Sequence, residues 1–143
     1  MKRSILFFAM GACTLVGLLV SAYLTFLSFS PPSSCPVDDF RFFSCNEVLW
    51  SEYSHFYGVS VALLGLVWFI IAAGLLAVAW RNERFVRIVC AWSMLGAAGV
   101  VVFVYTEIFL LGSICPLCTI AHVSGLAILA LSAFALRRPL VTA

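Results

Sequence analysis

A chain of 143 residues that is 64% hydrophobic and only 10% charged has too little polar surface to cover a soluble globule, so composition alone excludes a water-soluble domain. Its net charge of +2 is no argument for a nucleic-acid partner. The solvent for most of the chain is lipid.

Crossing the hydrocarbon takes roughly 20 apolar residues in a helix, because the backbone there must satisfy its own hydrogen bonds. In chain order, the stretches that qualify are Ile5 to Phe29, Tyr57 to Trp80, Phe85 to Leu111 and Pro116 to Leu136. The first follows Met-Lys-Arg, as a secretory signal would. It is too long for a signal, and no small-x-small cleavage pattern precedes Pro31-Pro32, so it is read as a retained span and cleavage as the lesser alternative. The one sizeable connection, residues 30–56, opens on the breaker run Pro31-Pro32-Ser33-Ser34. Its later part, Phe42 to Phe56, sets Val48, Leu49 and Phe56 among polar residues, with Trp50 and Tyr53 suited to the headgroup region. That pattern predicts a short amphipathic helix lying on the membrane. The expected fold is therefore an all-α integral membrane protein, a single four-helix bundle over residues 1–143.

Lysine and arginine are retained on the cytoplasmic side. Lys2 and Arg3 precede the first span, Arg81, Arg84 and Arg87 flank the turn between the second and third, and Arg137 and Arg138 follow the fourth. The long loop carries Asp38, Asp39, Glu47 and Glu52 against Arg41 alone. Both termini are thus expected in the cytoplasm and the loop on the extracytoplasmic side of a cell (inner) membrane.

That orientation gathers Cys35, Cys45, Cys115 and Cys118 at one oxidising face, whereas Cys13 and Cys90 fall in or near spans and receive no role. Cys115-Pro116-Leu117-Cys118 has the spacing of a redox-active dithiol, and its proline suits the first turn of a helix. A helix N-terminus favours a thiolate, so a lowered Cys115 pKa is expected. The same spacing is half of many zinc sites, and His122 would be a further ligand. Cys35 and Cys45 read either as a structural staple of the loop or as the second couple of an electron relay. Glu107, near the end of the third span, reads as a side chain reaching the interface in preference to a proton relay.

The runs Cys45-Asn46-Glu47-Val48-Leu49-Trp50-Ser51, Ser54-His55-Phe56-Tyr57-Gly58 and Tyr105-Thr106-Glu107, followed by Cys115-Pro116-Leu117-Cys118-Thr119, resemble the vitamin K epoxide reductase family, specifically its prokaryotic members. The resemblance covers nearly the whole chain and includes the order of the cysteine pairs. It implies a quinone-linked thiol–disulfide oxidoreductase that reoxidises a thioredoxin-like extracytoplasmic partner and so supports disulfide formation. Cys35 and Cys45 would be the shuttle pair, with Cys115 and Cys118 the active-site pair and Cys118 facing a ubiquinone- or menaquinone-type ring. Many bacterial homologues carry a fused thioredoxin-like domain; this sequence stops at Ala143, so a separate partner is expected. The loop helix would cap the quinone pocket, the alternative being an aromatic anchor without a gating role.

Ser54, Tyr57, Cys118 and His122 are the ring-binding candidates that follow from the resemblance. Ser54 and His122 stand where vertebrate members carry asparagine and tyrosine, which weakens epoxide reduction and leaves a quinone site. His122 lies four residues past Cys118, on the same helical face and one turn deeper, where an imidazole N–H can donate to a quinone carbonyl. The competing reading is a histidine hydrogen-bonded within the bundle. No metal or nucleotide is expected. The other classes in contention are an epoxide reductase proper and a non-catalytic tetraspan protein, stapled by disulfides or binding metal.

Overall fold

A computed structural model describes residues 3–30 and 43–137. Cys35, the acidic part of the loop around Asp38 and Asp39, and Arg138 lie outside the described residues. Four helices among those described are long and apolar enough to cross a membrane. They are α1 (Arg3–Ser28), α3 (Val61–Arg81), α4 (Val86–Tyr105, extended by a π-helix over Thr106–Leu111) and α5 (Pro116–Arg137). Their outward faces are what lipid requires: Phe8, Val101 and Phe109 are all largely exposed, which in water would be a liability. Hydroxyls inside the spans are satisfied by the preceding turn, as in Thr14 to the Met10 carbonyl, Ser93 to Val89 and Ser124 to Ile120, each at 2.8 Å. The chain is an all-α, four-span membrane protein.

Packing places α1 against α5 and α3, and α4 against α5, while the seam between α3 and α4 is thinner. At the end that carries Arg81 and Arg84, a core of Phe7, Met10, Ala79, Val86, Val89 and Ile128 closes the bundle. Two glycines let helices approach where larger residues would collide. A Cβ at Gly17 would fall 2.1 Å from the Phe69 ring, and one at Gly96 would fall 2.5 Å from Trp68.

At the other end lies α2 (Cys45–Leu49), shorter than the stretch that predicts it. Ser44 caps it by accepting the Glu47 N–H, and Cys45 and Leu49, one turn apart, are buried on one face while Glu47 and Trp50 stay exposed. It ends there because Ser51 is extended (φ −69°, ψ 157°); a 3-10 turn over Glu52–Ser54 follows. A two-residue hairpin, β1 (His55–Phe56) with β2 (Val59–Ser60), then pairs His55 with Ser60 and Phe56 with Val59. Tyr57 and Gly58 form its turn at φ 52° and 81°. The expected start of the second span at Tyr57 is therefore corrected to Val61, since a right-handed helix cannot run through two left-handed residues.

Candidate active site

Everything at this end is organised around the loop that joins the π-helix to α5. Gly112 terminates the π-helix in the left-handed region at φ 66°, and the Glu107 carbonyl accepts both the Gly112 and the Ser113 N–H. The chain then runs beside the start of α2, where Phe43 and Ile114 form a parallel bridge. Ser113, itself buried, donates its hydroxyl to the Glu47 carboxylate. These two contacts hold α2 in register with the dithiol loop. Between them the Cys45 and Cys115 sulfurs stand 3.0 Å apart, both residues wholly buried. A covalent bridge would be about 2.05 Å, so these atoms are in contact without being bonded.

Leu24, Leu27 and Leu49 surround the two sulfurs, with Val20, Val48 and Leu117 packed around them, so the exchange site is dry. Cys118, one turn into α5, turns its N–H onto the Cys115 sulfur at 3.3 Å. The helix-terminus donor anticipated from the sequence is thus present, yet the expected lowering of the Cys115 pKa is corrected. The hydrogen bond between the Cys115 and Cys118 thiols pushes the Cys115 thiol upward, burial adds to it, and these outweigh the opposing effects of Cys45 and the Cys118 N–H. Cys115 is a buried exchange partner that holds its proton.

Beyond Cys118 the bundle opens into a cavity of about 280 Å³. Cys118 and His122 form one wall, Glu107 and Phe103 another, and Ser54, Ser51 and Leu49 the lid. Its floor is made of small residues, Gly65, Gly96, Gly99, Ala121 and Gly125, and on the lipid side it reaches the exposed Leu64 and Leu95 across the α3–α4 seam. The His122 ring lies face to face with Phe103, centroids 6.3 Å apart and planes within 2°. Among the described residues no protein group hydrogen-bonds His122, which leaves its ring nitrogens unclaimed by the bundle.

The structure thus brings Cys45, Cys115 and Cys118 together in sequence and sets Cys118, His122 and Ser54 on one cavity. Ser54 is buried in the lid with its hydroxyl on the Ser51 carbonyl (2.7 Å), so it receives the His55 Nδ1–H (2.9 Å) in return. Tyr57 is corrected: 94% exposed at the hairpin tip and absent from the cavity wall, it does not meet a ring there. Glu107 is corrected as well. Only 5% exposed, it lines the cavity from within the π turn and does not reach the interface. The sequence also left unnoticed the Glu47–Ser113 contact and the glycine floor; the spacing Gly96, Gly99 on one helical face was the available signal for the latter.

Sulfur atoms in exchange contact at one end of a four-span bundle, with one thiol opening onto a lipid-side cavity, define a membrane-embedded thiol–disulfide oxidoreductase. The chain matches the model of the Vitamin K epoxide reductase family over residues 8–133 and belongs to that family, whose members are membrane oxidoreductases linked to quinones. Among curated proteins, none matches it.

Proposed function

We propose that this protein reoxidises a thioredoxin-like extracytoplasmic partner and passes the electrons to a bilayer quinone, so driving disulfide formation. The observation that carries the reading is the 3.0 Å approach of Cys45 to Cys115, with Cys118 next in line and facing the cavity. In this scheme the partner's dithiol reduces the Cys35–Cys45 disulfide and leaves as a disulfide. The Cys45 thiolate attacks Cys115 of the Cys115–Cys118 disulfide, forming a Cys45–Cys115 bridge and releasing Cys118 as thiolate. Cys35 then attacks Cys45, restoring the loop disulfide and freeing Cys115. Cys45 is the loop sulfur assigned to this exchange, which leaves Cys35 to meet the partner.

The residues present fit a quinone ring. The cavity is lined mainly by apolar and small residues, the α3–α4 seam gives it a lipid-side opening, and His122 Nδ1 or Nε2 offers a donor to a carbonyl oxygen. A bound quinone supplies a two-electron, two-proton acceptor. Cys118 delivers the electrons from its sulfur as it rejoins Cys115, and Ser51, Ser54 and Leu49 of the lid keep bulk water away from the reacting thiols. A thiol end facing outward is supported by the basic residues: Arg81, Arg84, Arg87 and Arg137 sit at the end away from the cysteines, as retention of positive charge in the cytoplasm would have it.

The test is continuous quinone absorbance in purified protein supplied with a reduced thioredoxin-like protein. Bleaching that requires both the donor and Cys118 is the expected result. A preparation that consumes donor thiols without touching the quinone would refute the acceptor.

A further inference from the structure

Closing the Cys115–Cys118 disulfide releases two protons along with two electrons, and the place where the Cys115 sulfur sits makes its proton hard to lose. The residue is wholly enclosed by apolar side chains. Among the described residues Leu24, Leu27 and Leu49 pack around it, and Cys118, the thiol beside it, is the other half of the same bond. A base reached through the protein is required.

The titratable side chains on this side of the cavity are Cys118, His122, Tyr53 and Glu107. Cys118 is spent in the reaction. Tyr53 is more than half exposed in the lid. His122 lies one turn deeper along α5 with its face on Phe103. Glu107 differs from all of these. It is an acidic side chain buried inside a span, a costly placement that in membrane proteins marks function. The Cys115 backbone N–H bonds toward its carboxyl, which brings that group to the residue that must be deprotonated. It belongs to a π turn, a distortion frequently retained at functional sites. It lines the same cavity as Cys118, so one carboxyl connects the Cys115 backbone to the cavity that Cys118 faces.

We infer that Glu107 is the proton carrier of the Cys115–Cys118 couple, taking the proton from Cys115 as the disulfide closes and returning it through the cavity to the electron acceptor. The balance is complete: Cys115–SH and Cys118–SH become the disulfide and two electrons pass to the quinone. The Cys115 proton travels by way of Glu107, and the Cys118 proton crosses the cavity that Cys118 itself lines. Both end on the oxygens of the quinol. The role rests on the quinone-linked reading for its final acceptor, while its first half concerns the dithiol alone.

The experiment uses the purified full chain, reduced and then oxidised by diamide with no quinone present, following formation of the Cys115–Cys118 bond. Diamide takes the two electrons and two protons, so this isolates the thiol half. Glu107→Gln is expected to slow closure by about 10²–10⁴-fold, Glu107→Asp to recover part of it, and added formate to rescue the glutamine variant in proportion to its concentration. An equal final yield of Cys45–Cys115 bridge in Cys35→Ala/Cys118→Ala with and without Glu107→Gln checks that the sulfurs are still in place. Closure of Glu107→Gln within twofold of the parent, or slow closure that neither aspartate nor formate improves, overturns the inference. Should the parent fail to reduce quinone while Glu107→Gln still shows the rescued defect, the acceptor is wrong and the proton role stands. If the parent reduces quinone and Glu107→Gln does so equally well, the proton role alone fails.

Discussion

Removing Cys118 should trap the exchange intermediate, and the geometry says how completely. In Cys118→Ala the nearest sulfur to Cys115 is that of Cys45, 3.0 Å away across a separation of 70 residues in sequence. Bonding requires the gap to shrink to about 2.05 Å, a closure of about 1 Å that side-chain rotation supplies. Reacting atoms held at roughly 3–3.5 Å are already in a near-attack arrangement, for which effective molarities reach about 10⁵ M or more. Even a ten-thousandth of that figure, about 10 M, outcompetes a millimolar external thiol by on the order of 10⁴. With Cys35 also replaced, so that it cannot resolve the bridge, oxidised Cys35→Ala/Cys118→Ala is therefore expected to carry a near-stoichiometric Cys45–Cys115 bridge, seen by mass spectrometry of the non-reduced digest, with Cys90 and Cys13 still alkylatable. The same variant should reduce no quinone. A digest in which Cys45 and Cys115 remain unbridged, or in which Cys115 pairs elsewhere, would refute the order of transfer.

Further outcomes follow from the same geometry. Ser113→Ala removes the donor to Glu47; because that carboxylate is exposed the loss should be about 1 kcal/mol, enough to slow Cys45–Cys115 exchange about fivefold in a rapid-quench assay without changing quinone affinity. Gly96→Val drives Trp68 into the cavity, since even a Cβ would approach its ring to 2.5 Å, so quinone-dependent turnover should fall while bridge formation between Cys45 and Cys115 persists. In the reduced protein the Cys115 thiol is held above its ordinary value of 9.0. Its neutral form is favoured by folding, so this contribution to stability is intact below the unfolded thiol pKa and declines as pH rises beyond it. Iodoacetamide should accordingly leave Cys115 unmodified at pH 9, where the denatured protein reacts; equal reaction in the two states would contradict the burial. Tyr57→Cys at the hairpin tip should label with an impermeant maleimide in intact cells, and Arg84→Cys at the opposite end only after permeabilisation.

The lipid-driven part of the fold was legible in the sequence because hydrocarbon leaves the chain few choices: a span needs its apolar length, and its ends declare themselves in Arg81, Arg84 and Arg137. The amphipathic stretch Phe42 to Phe56 likewise announced a short surface helix, of which Cys45–Leu49 forms α2. Legibility failed where backbone geometry overrides composition. Tyr57 is apolar enough to begin a span, yet with Gly58 it occupies a left-handed turn that only the glycine hinted at. Glu107 stands near the end of a span in sequence, and only the fold reveals that it lines the cavity. The Cys115 thiol illustrates competing effects of opposite sign. Helix position argued for a lowered pKa, and contact with Cys118 inside a dry core reversed it. The cavity depended on long-range packing of Gly65, Gly96 and Gly125 from different helices, of which the Gly96, Gly99 spacing gave only a trace on one of them.

The most direct measurement is a single turnover without any partner: protein reduced at its cysteines, freed of reductant and mixed anaerobically with quinone, with quinone absorbance and remaining thiols read from the same sample. One quinol for each cysteine pair oxidised in the parent, and none in Cys118→Ala, is the expected result. Quinone reduction that survives the loss of Cys118, or thiols that vanish without quinol appearing, would contradict the passage of electrons from Cys45 through Cys115 and Cys118 into the cavity.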